Sequence, residues 1–225
     1  MPDKTKTDLL REIRDEVVRL GEAPFGGPEE RASLAYLRRK SDTLPVIGEG
    51  SHDPLVMFIG EAPGRNEAAI GRPFCGAAGK ILDGLLVSAG IARDEVYITN
   101  IIKDRPPGNR DPFPDELALY APFLERQINI IKPKIIATLG RFSMDYIMRM
   151  FGLAELLLPI SKMHGRTFEA KTDYGLASVI VLYHPAVAVY NPNTKGELAS
   201  DFKAVGDLVK KLELKSKPRS NKALF

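Results

Sequence analysis

A short, unbroken apolar run ends abruptly at Gly60, and it constrains the fold of this chain more than any other feature. The run spans residues 55–59, and apolar runs of this length favour a strand covered on both faces. The loop that follows is stiffened by Pro63 and Pro73, and it carries glycines that allow close backbone approach. These glycines are Gly64, Gly71, Gly76 and Gly79. The sequence therefore predicts a strand, a loop that can mould around a flat ligand, and a helix.

Strands and helices alternate along the rest of the chain. Further apolar runs predict strands at 95–102, 134–139 and 178–183. Apolar residues at helical spacing predict helices at 7–20, 81–88, 115–131, 143–151 and 197–212. Pro122 is expected to kink its helix or to start a second turn region. The alternation predicts an α/β fold, a three-layer α/β/α domain with a central four-stranded parallel sheet.

The chain divides into three parts. Residues 1–50 are predicted to hold an N-terminal helix, capped by Thr7, and a connecting segment with a short polar helix at 29–39. Residues 51–212 form the α/β domain, and residues 213–225 are expected to be a disordered basic tail. With 225 residues, of which 44% are hydrophobic, the chain is long enough to bury a substantial core.

Composition excludes several classes of protein. No apolar run approaches the roughly 18 residues of a membrane span, and the polar start is no signal peptide, so we expect a cytoplasmic protein and a monomer. The single cysteine, Cys75, excludes internal disulfides and a metal cluster held by several thiolates of one chain. A formal charge of +3 permits a polyanionic partner without demanding one.

Polar side chains follow the predicted strands at the points where the strands end. Glu61, Asn100 and His184 lie at or just after such ends, as does Gly140. Because ligands bind outside the carboxyl ends of parallel strands, we expect these residues to share one crevice. A carboxylate, an amide and an imidazole beside Phe74 suit a planar, hydrogen-bonding ligand such as a nucleobase.

Other loop chemistries fit less well. The glycines match neither the P-loop that binds phosphate nor the dinucleotide fingerprint. Cys75 could act as a nucleophile with His184 as its base, but no nucleophile elbow surrounds it. We therefore interpret Cys75 as a small residue that packs within the loop.

Several motifs together resemble those of the family 4 uracil-DNA glycosylases. The motifs are GEAPG at 60–64, GRPF at 71–74, TN at 99–100, RPPGNR at 105–110, PFLERQI at 122–128 and HPA at 184–186. They occur in family order and cover residues 55–212. The resemblance implies that the protein flips uracil out of DNA and hydrolyses its N-glycosidic bond.

The resemblance also implies roles for the residues of the crevice. Phe74 would stack on the flipped base, and Asn100 would bind uracil O4 and N3–H. His184 would donate a hydrogen bond to O2, where negative charge develops. Glu61 would orient the attacking water and stabilise the cationic sugar. The base would also contact Ala62 and Glu67, and Glu67 would crowd C5 and exclude thymine.

Each role has a structural alternative. Phe74 could be a core aromatic, Asn100 a turn cap and His184 a satisfied structural histidine. Glu61 could be neutralised by an ion pair with Lys103 or Arg72. The protein as a whole could be a DNA- or lesion-binding module with weak or no turnover.

The chain departs from the family in its cysteines. Family 4 enzymes hold a four-iron, four-sulfur cluster with four cysteines, two of them before the first strand. The third and fourth positions are Asp104 and Tyr120 here, and residues 21–50 contain no cysteine. We therefore expect no iron-sulfur cluster, no metal site and no other cofactor in this protein.

Cationic loops provide candidate contacts to DNA phosphates, although they could equally be solvated loops. The candidates are Lys103, Arg105, Arg110, Lys162 and Arg166. His164 is interpreted as a DNA-backbone contact or a structural residue. Tyr190, where the family usually has a cation, could stack on DNA or bind a phosphate.

Overall fold

The structure, a computed structural model, describes residues 3–21 and 34–216. Its helices are α1 (Lys6–Leu20), α2 (Leu34–Lys40), α3 (Arg65–Ile70), α4 (Ala77–Ser88), α5 (Pro114–Ile131), α6 (Arg141–Met150), α7 (Ile160–Met163), α8 (Val187–Tyr190) and α9 (Lys195–Ser216). Its strands are β1 (Glu49–Gly50), β2 (Val56–Gly60), β3 (Tyr97–Asn100), β4 (Ile135–Leu139), β5 (Thr167–Thr172) and β6 (Gly175–Leu182). No helix within the described ranges is both long and apolar enough to cross a membrane.

The described strands form one sheet in the order β1-β3-β2-β4-β6-β5. The four central strands are parallel, so the predicted α/β fold and its four-stranded parallel sheet are confirmed. The edge strands β1 and β5 are antiparallel to their neighbours and were not predicted. β1 has only two residues, and the exposed face of β5 makes its sequence too polar to stand out.

Every residue of β2 is buried because helices cover both faces of the sheet. Val56 and Phe58 pack with residues of α4 and α9 on one face. Met57 and Ile59 pack with residues of α1, α5 and α6 on the other. Alternate side chains of one strand thus enter two separate cores, which is the predicted three-layer arrangement.

Several predicted element boundaries are wrong. α1 is capped by Thr5, whose hydroxyl accepts from the backbone N–H of Asp8, and not by Thr7. α5 continues through Pro122 as one helix, which excludes the second turn region that was one of the two alternatives there. α9 extends to Ser216, past the expected start of the tail at 213. The predicted helix at 29–39 begins at Leu34 within the described residues; its earlier part and residues 217–225 lie outside them.

The strand order fixes where a ligand can bind. β3 lies on one side of β2 and β4 on the other, so the connections change direction at β2. In open parallel sheets, the crevice at such a point lies outside the carboxyl ends of the strands. Glu61 follows β2 directly, which places it beside this crevice.

Candidate active site

A cavity of about 340 Å³ opens at the carboxyl edge of the parallel strands. Its volume falls within the range of about 300–1,000 Å³ usual for small-ligand sites. The residues expected to catalyse or to hold the base all line it. They are Glu61, Ala62, Glu67, Phe74, Asn100 and His184. The structure therefore brings together side chains from the ends of β2, β3 and β6.

Phe74 forms part of the cavity wall in a strained backbone conformation. Its φ is 49°, a left-handed value that costs a non-glycine residue on the order of 1–3 kcal/mol. Its ring packs with the core beside α4 and also lies 5.5 Å from the ring of His184. Phe74 is thus a core aromatic that is also exposed to the cavity, so the two expected roles are compatible.

Two charged side chains hold the loop that carries this aromatic ring. Glu67 Oε1 accepts from the backbone N–H groups of Cys75 and Gly76 at 3.1 and 2.9 Å. Arg93 Nη2 donates to the backbone oxygen of Pro73 at 2.8 Å. Burial and the nearby Glu67 raise the pKa of the Cys75 thiol, which fits a packing role better than a nucleophile. No motif in the sequence marked Arg93 as part of the site.

Gly79 is required by the close approach of α4 to the same loop. A Cβ atom at this position would lie 1.8 Å from the backbone oxygen of Phe74. Any larger residue would displace the loop, because that contact is with backbone and not with a flexible side chain. The position of the aromatic ring therefore depends on a glycine one turn into α4.

Asn100 ends β3 and is only 2% exposed. Its Oδ1 is buried without a hydrogen-bond partner among the described residues, so it is not a turn cap. An unpaired buried acceptor costs about 1–3 kcal/mol, which a ligand donor would recover. Gly60 leaves the space for this amide, since a Cβ there would lie 2.3 Å from Oδ1. The site therefore presents a buried hydrogen-bond acceptor that a donor group of a ligand would satisfy.

His184 follows β6, and its tautomer is fixed by the turn that it starts. Its Nδ1 accepts from the backbone N–H of Ala186 at 3.1 Å, which leaves the proton of the neutral ring on Nε2. Burial lowers the pKa of His184 to about 4, against the opposing charge of Glu67. His184 is therefore neutral at neutral pH. Its Nδ1 accepts a hydrogen bond within the turn, and its Nε2–H is the group that can donate to a ligand.

Glu61 is half-buried at the mouth of the cavity. Burial first, and then the nearby Asp111, raise its pKa to about 7, while Arg141 opposes the shift. The side chain forms no ion pair within the described ranges, because Arg72 pairs instead with Glu49 at 2.6 Å. Asp111 and Arg141 were not recognised from the sequence. They form an exposed pair at 2.7 Å.

The structure changes the interpretation of the basic loop after β3. Lys103 is fully buried, so the expected phosphate contact of this residue is wrong. Arg110 is held by both oxygens of Glu116, at 2.8 and 2.5 Å, and its charge is therefore already neutralised. Arg105 is half-buried and donates to Asn109 Oδ1 at 2.7 Å. Of these three cations, only Arg105 lies near the surface without a carboxylate partner among the described residues.

The remaining candidate DNA contacts lie on α7, in the turn between α7 and β5, and at the end of α8. Lys162 and Arg166 are exposed, and Tyr190 is 87% exposed. His164 is half-buried, and its Nδ1 lies 3.0 Å from both carboxylate oxygens of Asp201. This pairing favours the structural interpretation of His164 over contact with DNA.

Asp104 and Tyr120, the residues expected in place of the third and fourth cluster cysteines, are in contact with each other. The Tyr120 hydroxyl donates to Asp104 Oδ2, and both side chains are buried. Arg38, from the segment before the first strand, donates to both oxygens of Asp104 at 2.9 and 2.7 Å. Arg38 Nη2 also donates to the backbone oxygens of Val17 and Val18. A guanidinium and a carboxylate thus fill this space, and these residues do not fit an iron-sulfur cluster.

The fold and the cavity together define an α/β protein with a small-ligand site at the carboxyl edge of its sheet. Comparison with known proteins agrees with this class. Residues 47–205 match the uracil DNA glycosylase superfamily, and the chain belongs to that family.

Its relatives include proteins called type-4 uracil-DNA glycosylases. The one from Sulfurisphaera tokodaii is 48% identical over 202 residues, which are 89% of this chain and 85% of the relative. The one from Archaeoglobus fulgidus is 43% identical over 169 residues, which are 75% of this chain and 84% of the relative. The similarity therefore covers most of both proteins.

Proposed function

We propose that this protein is a monofunctional uracil-DNA glycosylase, a DNA repair hydrolase that acts in base excision and leaves an abasic site. One observation carries the proposal. Asn100 Oδ1 is buried without a donor in a cavity shared with Phe74 and His184. Uracil N3–H would supply that donor, and the Asn100 amide N–H would meet uracil O4. The relatives named type-4 uracil-DNA glycosylases support the same reaction.

In the proposed reaction, one side chain acts on the base and another acts on the sugar. The N1–C1′ bond breaks, and its electron pair stays on uracil, spread over N1 and O2. The Nε2–H of His184 donates to O2 as this charge develops. Glu61 as a carboxylate stabilises the positive charge on the sugar and orients a water, whose oxygen bonds to C1′. The water proton passes to Glu61.

The remaining contacts would hold DNA around the flipped nucleotide. Exposed Lys162 and Arg166 and the partly exposed Arg105 would bind phosphates. Tyr190, almost fully exposed at the end of α8, would stack against the DNA beside the flipped base. All these groups belong to a single chain, so we propose that the protein acts as a monomer. We also propose that its domain at residues 51–212 carries the activity.

Single-turnover excision tests the proposal directly. Excess protein is mixed with an oligonucleotide that contains one uracil, and the abasic product is cleaved and counted. We expect release of uracil and no strand cleavage by the protein itself. Binding without release would mean that the protein is the lesion-binding module that was the alternative.

Substitution of Asn100 by Asp should change the choice of base. The variant loses the N–H that meets uracil O4 and gains an acceptor that suits the amino group of cytosine. We expect uracil excision to fall by roughly 10- to 100-fold and cytosine excision to become detectable. Asn129→Asp is the matched control, since it adds the same charge at an exposed residue of α5 outside the cavity lining. An unchanged uracil rate in Asn100→Asp would show that Asn100 does not read the base.

Excision should also slow in acid, because Glu61 acts as a carboxylate and its pKa is about 7. A group with this pKa is largely ionised at about pH 8 and is about 3% ionised at pH 5.5, which predicts a loss of about 30-fold. His184 stays neutral over this interval, since its pKa is about 4, whereas Lys103 also titrates there with a pKa of about 7; the 30-fold loss is the contribution of Glu61 alone. The measurement is the single-turnover rate against pH at saturating protein. Glu61→Gln should be slower at pH 8 and should lack this acid limb; a variant that keeps the limb would assign it to another group.

We further propose that the protein is a variant of its family without the iron-sulfur cluster. The single cysteine and the Arg38–Asp104–Tyr120 contacts support this, as does the lack of any group of three or more potential metal ligands in the described part of the chain. We expect the purified protein to be colourless and active with less than about one iron per ten chains. Elemental analysis checks the iron content. About four irons per active chain would contradict the proposal.

A further inference from the structure

Lys103 lies in the interior of the protein, near the start of the loop that leaves β3. Its side chain is 0% exposed. Its Nζ donates to Thr99 Oγ1 at 2.9 Å, to the backbone oxygen of Asn100 at 2.7 Å and to Gln127 Oε1 at 2.6 Å. No carboxylate lies within ion-pair distance of it among the residues that the structure describes. None of the roles given above uses this group.

The neighbours of Lys103 require the charged form of its amine. The Thr99 hydroxyl gives its own proton to the backbone oxygen of Ile47 at 2.6 Å. The amide nitrogen of Gln127 donates to Ile47 and to the hydroxyl of Tyr97, so its Oε1 faces Lys103 as an acceptor. The third partner is a carbonyl oxygen. Three acceptors match the three protons of an ammonium group, whereas a neutral amine has only two.

Burial acts against this charge. It lowers the pKa of Lys103 to about 7, so the ammonium form dominates below pH 7, and the rates that test its role are measured at about pH 6.5. A charge kept in the interior without a counter-ion is costly, and such charges are concentrated at functional sites. Lys103 binds the backbone of Asn100, whose side chain lines the cavity. The cation therefore lies directly behind the residue proposed to read the base.

We propose that Lys103 is a positioning residue that holds Asn100 and places a buried positive charge behind the base, which stabilises the uracil anion as it leaves. The inference rests on the proposed function. Negative charge appears on the base only when the N1–C1′ bond breaks, so a fixed cation behind the base favours the transition state over the bound substrate. Low-dielectric surroundings make such a charge effective without direct contact.

The choice of leaving group distinguishes this role from a structural one. Fluorine at C5 stabilises the departing anion, so 5-fluorouracil needs less help from the protein than uracil. Single-turnover rates are measured for both bases in the same oligonucleotide with parent and Lys103→Met. We expect uracil excision to fall by roughly 10- to 100-fold and 5-fluorouracil excision to fall several-fold less. A defect of folding or base placement would slow both substrates alike.

Two further variants cover a failure of Lys103→Met to fold. Gln127→Glu keeps an acceptor for Lys103 but sets a carboxylate against the ammonium, and it should raise the ratio of 5-fluorouracil to uracil rates in the same way. Tyr97→Phe is the matched control, because it removes a hydrogen bond of the same network, the one from Gln127 Nε2, and leaves all three acceptors of Lys103 in place. The ratio of 5-fluorouracil to uracil rates in this control variant should equal that of the parent.

The outcomes separate this inference from the proposed function. A parental ratio in Lys103→Met, or in Gln127→Glu if the first variant does not fold, would overturn the role of Lys103 while excision itself stands. A parent protein that releases neither base would overturn the proposed function and this inference together.

Discussion

Replacement of His184 by Ala should lower the single-turnover rate of uracil excision by about 100- to 1,000-fold, the loss typical of one donor to a developing oxyanion. The reason is the fixed tautomer, since Nδ1 accepts from Ala186 and Nε2 carries the only proton of a neutral ring. The hydrogen bond strengthens as charge moves to uracil O2. The substitution should therefore affect the rate far more than binding.

The measurement pairs excision rates with affinity for uracil-containing DNA. We expect the affinity of His184→Ala to stay within about threefold of the parent, because most DNA binding energy comes from the phosphates. His52→Ala is the matched control. His52 is also half-buried but contacts Thr7, and its loss should leave the rate unchanged. Excision by His184→Ala at the parental rate would show that this histidine is structural.

Replacement of Asp104 by Ala should lower the free energy of unfolding by about 3–5 kcal/mol, because it leaves a buried charge without its partner. Arg38 is 7% exposed and Asp104 is 1% exposed, so water cannot replace the lost contact. Tyr120 also loses its acceptor. Chemical denaturation with urea, followed by circular dichroism, measures the change.

A paired substitution tests whether the loss comes from the stranded charge. Arg38→Met combined with Asp104→Leu removes both charges and fills the space with apolar atoms, which is often neutral or stabilising. We expect the double variant to recover most of the stability lost in Asp104→Ala. As a control, Glu49→Ala breaks an exposed ion pair with Arg72 and should cost less than about 1 kcal/mol. An Asp104→Ala variant as stable as this control would refute the structural role of the buried pair.

The parallel sheet and the core of the site could be predicted because both follow from the apolar runs. Each run marks a strand, and parallel strands bring their carboxyl ends to one edge. Glu61, Asn100 and His184 stand at these ends, so strand prediction alone was enough to bring them together. Their distances, tautomers and pKa shifts required the tertiary structure.

The features that could not be predicted from the sequence depend on contacts between distant parts of the chain. Lys103 stands in a loop with other cations, and sequence reasoning expects such a lysine in water; only the acceptors on β3 and α5 explain its burial. Arg38 meets Asp104 across 66 residues, a separation at which no local pattern indicates pairing. The edge strand β5 depends on its hairpin with β6, since its own alternation is too polar to identify it.

The loop that carries Phe74 leaves the identity of its aromatic ring open to redesign. Glu67, Arg93 and Gly79 all approach this loop at its backbone atoms, whereas the Phe74 ring itself packs in the core beside α4. The backbone contacts therefore set where the ring stands, and a replacement side chain must fill the same space in the core. The left-handed backbone limits the choice to residues without a branch at Cβ, such as Tyr, Leu or Met. Selectivity among modified pyrimidines could thus be tuned at one position without a new scaffold.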